Sequence, residues 1–377
     1  MIFRTIIFLN ILLILYRRLL YRPTICYIYV ISPVDIFVNC FLDFLWNLFF
    51  LFCIVLFMKE SFNLKSFNSK NSFYGYVLAC FSVFIWGITF VCTKQLLIYF
   101  SALEILFIRF ALAYLFLWIL YPHKLKMSKK ENLLVALAGL TGVTLYQFTE
   151  NLALDFTTAS NVSIIVAICP IFTALTSQIF LKEKHLTLNF CLGFSLAFVG
   201  VILVSFNGKL NFNLSPKGDI LALISAICWG FYSLFVTIIN RKGYNTICVT
   251  RKIFFYALIF MIPLMICGFF TKNPESATYV ELDGTLNKIR FTSFLNWILF
   301  CFLGILASGM CFVAWNKACT ILGTVKISSG LYLIPVVTIF FAAIFLKEKI
   351  TLMGCIGSLL TIIGLFVSSK KSKEKKQ

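Results

Sequence analysis

Residues 75–87 read GYVLACFSVFIWG, and residues 218–230 read GDILALISAICWG. A shift of 143 lays Gly75 on Gly218, Ala79 on Ala222, Ser82 on Ser225 and Trp86-Gly87 on Trp229-Gly230. Farther along the shift becomes 165. Asn151 then meets Asn316, Ala153 meets Ala318, Ser163 meets Ser328, Pro170 meets Pro335, and LKEK at 181–184 meets LKEK at 346–349. One residue less pairs Thr187 with Thr351, Cys191 with Cys355, Gly193 with Gly357 and Gly200 with Gly364. The chain is an internal duplication, and a period this long constrains the architecture before any motif does. The change of shift falls around 271–293, in a connection, where an insertion disturbs a repeat least.

The physical nature of each half follows from composition. Apolar residues make up 61% of the 377 and charged ones 12%, against about 45–50% and about 25% in soluble domains. Mean hydropathy is +0.96. A soluble enzyme, a disordered chain and a nucleic-acid binder are excluded. A bilayer core of about 30 Å needs about 20 apolar residues per helix. Ten such stretches occur, at 73–93, 102–121, 132–149, 158–180, 187–206, 218–239, 248–270, 294–314, 324–346 and 350–369. Tyr121-Pro122, Asn207-Gly208, Ser215-Pro216-Lys217-Gly218 and Asn273-Pro274 punctuate the connections. Open strands cannot span lipid, so these are helices. The expected fold is an all-α integral membrane ten-helix bundle, with repeats at 73–207 and 215–369. Five helices is an odd number, so the two halves lie inverted, a common device of secondary transporters.

The net charge of +19 then reports orientation. With residue 73 entered from the cytoplasm, the inner segments hold twenty Lys/Arg, including clusters at 124–130, 241–252 and in the tail 370–377; the outer ones hold eight. Glu150, Asp155, Glu275, Glu281 and Asp283 fall to the outer side on this reading. Both ends of the bundle are expected in the cytoplasm, in the cell membrane. Residues 1–57 are apolar but irregular, broken by Arg17, Arg18, Arg22, Pro23, Pro33, Asp35 and Asp43. Either the working protein starts near Met58 and 1–57 is a start-site extension, or 37–57 is an extra helix. The 14 cysteines are scattered without a CxxC pair or zinc spacing, so no metal and no cofactor is expected.

Trp-Gly in the first helix of each half recurs, as do the Asn-x-Ala turn after the third, the mid-helix proline in the fourth and the Lys-Glu-Lys beyond it. With the Gly-rich fifth helices, this pattern resembles the EamA branch of the drug/metabolite transporter superfamily over about 73–369. The resemblance implies a ten-helix carrier with a central cavity, moving small organic metabolites, often amino acids or related compounds and often outward. Arg109 matches a family arginine in the second helix. Arg251, near the start of the corresponding helix of the other half, departs from that placement.

Ionisable groups within spans are functional candidates by default. Arg109 is the one clear deep case, either a counter-charge for a carboxylate or a partner of carbonyls or Glu104. Five residues put Glu104 and Arg109 about 140° apart on a helix, so the ion pair is the poorer option. Lys94 reads as a snorkelling anchor. Thr141, Thr144, Gln147 and Asn151 fall on one helical face, and only Asn316 repeats in the other half, which predicts one polar and one apolar wall. Trp86, Trp229, Ser233 and Tyr332 are further lining candidates. The stripe Ser160, Ser163, Ala167, Pro170, Ala174, Ser177 suits helix packing. Pro170 and Pro335 each free a carbonyl four residues back, at Val166 and Leu331, and are candidate hinges. Glu183 and Glu348 read as helix-end ion pairs.

No carboxylate is expected at mid-span, which leaves proton coupling without a residue. Without a Walker A sequence, ATP-driven transport by this chain alone is not expected. The expected function is secondary transport of small organic solutes by alternating access. An integral-membrane enzyme or a sensor is the alternative, though the clustered carboxylates or histidines an enzyme needs are missing. The partners expected are a small solute and the lipid bilayer, with no nucleic acid; a homodimer is left open.

Overall fold

The computed structural model describes residues 68–183, 185–206, 215–270, 290–345 and 352–369. The extension at 1–57, the tail at 370–377, most of the 271–293 loop, and the second LKEK with Glu348 lie outside the described residues.

Every regular element among the described residues is helical. They are α1 (Asn68–Leu96), α2 (Ala102–Leu120), α3 (Lys129–Phe156), α4 (Ala159–Leu181), α5 (Leu188–Phe206), α6 (Pro216–Asn240), α7 (Thr246–Phe270), α8 (Phe294–Leu322), α9 (324–345) and α10 (Leu352–Ser369). Eight are long and apolar enough to cross a membrane; α5 and α10 hold shorter apolar runs among the described residues.

Local chemistry sets the starts. Ser101 with Glu104 and Ser128 with Glu131 form capping boxes ahead of α2 and α3. Thr158 accepts from Asn161 N–H at α4, and Ser215 caps α6 with Pro216 in its first turn. Two helices run past their expected ends. α3 continues from 149 to Phe156 and α8 from 314 to Leu322. Hydropathy alone stops at Glu150-Asn151 and Asn316-Lys317. Both asparagines instead make side-chain hydrogen bonds inside the bundle, so the helices continue through them. The Asn-x-Ala turns expected there are helical interior.

Four irregularities recur in pairs. α3 holds a π-helical segment at Leu140–Leu145, and α8 holds a longer one at Phe302–Met310, whose last six residues lie 165 positions on. α4 breaks at Ala167–Ile168 just before Pro170. α9 tightens into a 3-10 segment at Ser329–Leu333 just before Pro335. There the freed Leu331 carbonyl is taken up by Ile334 N–H.

Packing crosses between the repeats. α1 lies on α8 and α9, while α6 lies on α3 and α4; α2 contacts α7 and α8, and α7 contacts α2 and α3. Exchanging each helix with the one five places along leaves this pattern unchanged. The two quoted motifs meet in it. A Cβ on Gly87 would come within 2.5 Å of Val337, and one on Gly230 within 2.8 Å of Phe172. Val337 and Phe172 each stand two residues beyond a repeated proline. Thr338 donates to the Gly87 carbonyl at 2.9 Å, and Thr176 to that of Gly230 at 3.0 Å. The Trp-Gly glycine of one half thus seats the proline helix of the other. α5 and α10 form a pair apart: a Cβ on Gly193, Gly200 or Gly364 would run into the partner helix's backbone, the close approach that small residues permit in membranes.

Candidate functional site

The paired irregularities surround one point. A π segment adds a residue to the turn, rotating the remainder of the helix by about 100°, and such segments are frequent at functional sites. In α3 this splits the expected polar stripe. Thr141 folds back on the Leu137 carbonyl, Thr144 bonds the Ala257 carbonyl of α7, and Asn151 bonds the Ala102 carbonyl at 3.3 Å. Gln147 alone of the four reaches the centre, joined by Tyr146 and Glu150.

The central cavity has a volume of about 20 Å³, room for one water. Trp86, Arg109, Tyr146, Gln147, Glu150 and Trp229 line it, with Thr89, Phe90, Val166, Phe312, Leu331 and Ile334. Val166 and Leu331 are the residues whose carbonyls the prolines free, so both helix breaks abut this cavity. Arg109 is 2% exposed. Its Nη1 donates to Gln147 Oε1 at 2.8 Å and its Nε to Ser308 Oγ, within the π segment of α8. Among the described residues no carboxylate lies within ion-pair distance of it. Gly304 lets the α2 backbone come this close, because a Cβ there would sit 2.9 Å from the Arg109 carbonyl.

The walls are aromatic. Trp86 meets Trp229 edge to face at 5.5 Å, Tyr146 lies 4.9 Å from Trp229, and Phe312 lies 5.5 Å from Trp86. Trp86 Nε1 donates to the Ala307 carbonyl at 2.9 Å, again in the π segment. Glu150 is 5% exposed, and one carboxylate oxygen, Oε2, has no hydrogen-bond partner; Trp229 Nε1 also has none.

Four of the eight sequence-predicted lining residues are therefore at the cavity: Trp86, Arg109, Gln147 and Trp229. The other four are elsewhere. Asn151 pins α3 to the first residue of α2. Ser233 accepts from Thr173 at 3.2 Å, and Asn316 joins Tyr232 at 2.9 Å to Thr250 at 3.1 Å. Tyr332 is buried with its hydroxyl unpartnered, near the Phe194 ring. Along α6 and α8, Ser233 and Asn316 stand between the residues lining the central cavity and those lining a second one of about 510 Å³. That vestibule is lined by Ser177, Glu183, His185, Asn240, Arg241, Thr324 and Lys326 among others, and shares no lining residue with the central cavity.

The sequence reading missed Glu150, Tyr146, Thr89, Phe90, Phe312 and Ile334. Ending the third helix at 149 put Glu150 in an external loop, and the expectation of no buried carboxylate is overturned by it. A signal was present. Three residues separate Gln147 from Glu150, so if either faces inward on a continuous helix, so does the other.

Ionic ties close both faces. At one, Arg290 grips Glu104 through two 3.0 Å contacts, which settles the partner of Glu104, and Lys94 caps α3 through the carbonyls of Leu154 and Thr157. At the other, Arg251 binds the Tyr121 and His123 carbonyls with Trp118 3.8 Å beneath it. Glu183 there bonds Ser177, His185 and Arg241. Burial alone would push the Glu183 carboxyl up, but hydrogen bonds from His185 and Ser177 and the charge of Arg241 hold it below its ordinary value.

A multi-pass helical bundle closing an arginine and a carboxylate inside aromatic walls defines an integral membrane protein organised around a buried polar site. The chain belongs to the EamA-like transporter family, whose model matches residues 73–206 and 216–370. It is 29% identical over 312 residues to an "Uncharacterized transporter" of Archaeoglobus fulgidus, covering 81% of this chain and all of that one. The "Uncharacterized transporter YvbV" of Bacillus subtilis is 27% identical, over 80% of this chain and 93% of its own. A "Probable terminal-alkyne amino-acid exporter" of Streptantibioticus cattleyicolor is 26% identical, over 63% and 73% respectively. One crystal structure, 16% identical, aligns with a TM-score of 0.60 over 80% of this chain and 96% of that one; at this identity the likeness is of fold.

Proposed function

We propose that the protein is a secondary transporter of small organic metabolites, amino acids or related amphipathic solutes, working by alternating access. The observation that carries this is the central cavity, where Arg109, held by Gln147 and Ser308, presents a desolvated cation among aromatic rings. A buried cation whose hydrogen-bond partners are neutral favours an anionic group on the solute. The relative named as an amino-acid exporter supports that class. The packing pattern that survives exchange of the halves supports two inverted five-helix repeats. In the conformer described, the central cavity is closed and the vestibule is the roomy one. Ser233 and Asn316 form the septum between them, and its parting would join the two.

In this reading Pro170 and Pro335 are the hinges beside the site, and Glu183 is the tie that holds the vestibule face. The Lys/Arg distribution supports a cytoplasmic position for that face, for the start of the bundle near Met58 and for the C-terminus, in the cell membrane. No catalytic role is proposed for any residue.

Purified protein in liposomes, offered amino acids, nucleobases, nucleotides and organic cations, tests this. The expected result is saturable flux of one class, reduced about tenfold or more by Arg109→Gln, the loss appropriate to one charged hydrogen bond. Well-folded protein that moves nothing in the panel would overturn it.

A further inference from the structure

The central cavity holds two unmet hydrogen-bonding groups, one an acceptor and one a donor. Glu150 Oε2 is a buried carboxylate oxygen with no partner, and Trp229 Nε1 is a buried N–H with none. Glu150 is held in place by its own helix, with the Tyr146 hydroxyl one turn earlier beside it. A charge in such a place is costly unless something pairs with it. Arg109 lines the same cavity but is turned to Gln147 and Ser308, and is not within ion-pair distance of Glu150. The site therefore presents a cationic pole and an anionic pole that are not in contact, and the unmet Glu150 oxygen is left for a partner from outside the chain.

We infer that Glu150 is the ammonium subsite of a zwitterionic solute whose carboxylate is taken by Arg109 and Gln147. The inference rests on the carrier reading above and names the substrate chemistry of its site. One formal positive and one formal negative charge make the cavity neutral overall. A net-neutral dipolar solute satisfies both poles and leaves no buried charge over, which neither a simple anion nor a simple amine does. The rings of Trp86 and Trp229 flank the cavity, and an ammonium beside an indole face gains a further attraction. Phe312, Phe90 and Ile334 supply the apolar wall for a side chain. In the closed state the cavity takes one water, which can bridge the unmet groups; the solute displaces it when the helices part.

The test uses the full chain in detergent and in liposomes, with phenylalanine, N-acetylphenylalanine and 3-phenyllactate as probes. Binding is read by fluorescence of the cavity tryptophans and transport by flux. Wild type is expected to bind and carry phenylalanine about tenfold or more better than either probe lacking the ammonium, the discrimination one charged hydrogen bond supplies. Glu150→Gln is expected to erase that preference by losing phenylalanine while keeping 3-phenyllactate within about threefold. Glu150→Asp should restore part of it. Equal handling of the three probes by wild type overturns the inference, as does a Glu150→Gln protein that keeps the preference. The wild-type comparison decides even if that variant fails to fold. Flux of a different solute class with none of phenylalanine overturns the Glu150 assignment and leaves the carrier reading standing. Absence of any flux across the wider panel overturns the carrier reading itself.

Discussion

Arg109 stays charged inside the bundle because two neutral groups on different helices reach it, and losing either is felt twice. Gln147→Leu leaves Nη1 without its acceptor, at a cost of about 1.5–3 kcal/mol for a hydrogen bond to a charged group. The protein is expected to remain folded with a lowered Tm in detergent and altered solute selectivity; wild-type flux and selectivity would remove Gln147 from the site. Glu183 makes a different point. Its pair with Arg241 is half exposed, so its worth is small, in the range of surface pairs. Its carboxyl is held below its ordinary value, so the contribution is fully present at neutral pH and lost only as the pH falls through that lowered value. Thermal stabilities of wild type and Arg241→Gln should differ at pH 7 and converge in acid, below the ordinary glutamate range; a gap that persists in acid would contradict the assignment. Residue types mark Arg109, Gln147 and both tryptophans in the sequence, because deep polar and aromatic groups are rare and directional. Ser233 and Asn316, expected on the cavity wall, lie in the septum, and Tyr332 lies off the wall near the Phe194 ring. Sequence spacing gives a helical face, but not how far along the helix axis a cavity extends.

The helices depart from regularity where the repeats coincide, and each departure has its own test. Pro335→Ala restores an N–H to α9 and removes the clash behind the break. Insertion and abundance are expected to be unchanged and transport slowed; unchanged transport would count against a hinge. The α5–α10 pair depends on bare backbone, so Gly200→Leu forces the two helices apart. A loss of about 1–3 kcal/mol, as for other overpacked sites, should appear as a lower Tm without a change of selectivity in the protein that remains folded. Span positions and the proline breaks were legible because apolar length and missing N–H groups are local properties. The π segments were not. They carry no composition signal, and the one in α3 lies between Leu140 and Leu145, where it separates Thr141 and Thr144 from Gln147 on the expected stripe. The end of α3 was misjudged for a related reason: hydropathy treats Glu150 and Asn151 as exits, whereas partners from other helices allow polar groups to stay inside.

Over the whole molecule, the duplicated motifs visible in the sequence turn out to be contacts between the two halves. Gly87 seats the helix of Pro335, and Gly230 seats that of Pro170. Residues 68–206 expressed alone are expected to give no transport and little stable protein, and co-expression with 215–377 to recover part of both, measured by flux and by retention in the membrane fraction. Activity from one half alone would contradict the exchanged packing. The same exchange sets an order of events during synthesis. α1 emerges before the other described helices, yet α8 and α9, which pack on it, are among the last to leave the ribosome. Until α8 is made the Trp86 indole therefore lacks its Ala307 acceptor and its Phe312 neighbour, and the central cavity is complete only when the chain is nearly finished.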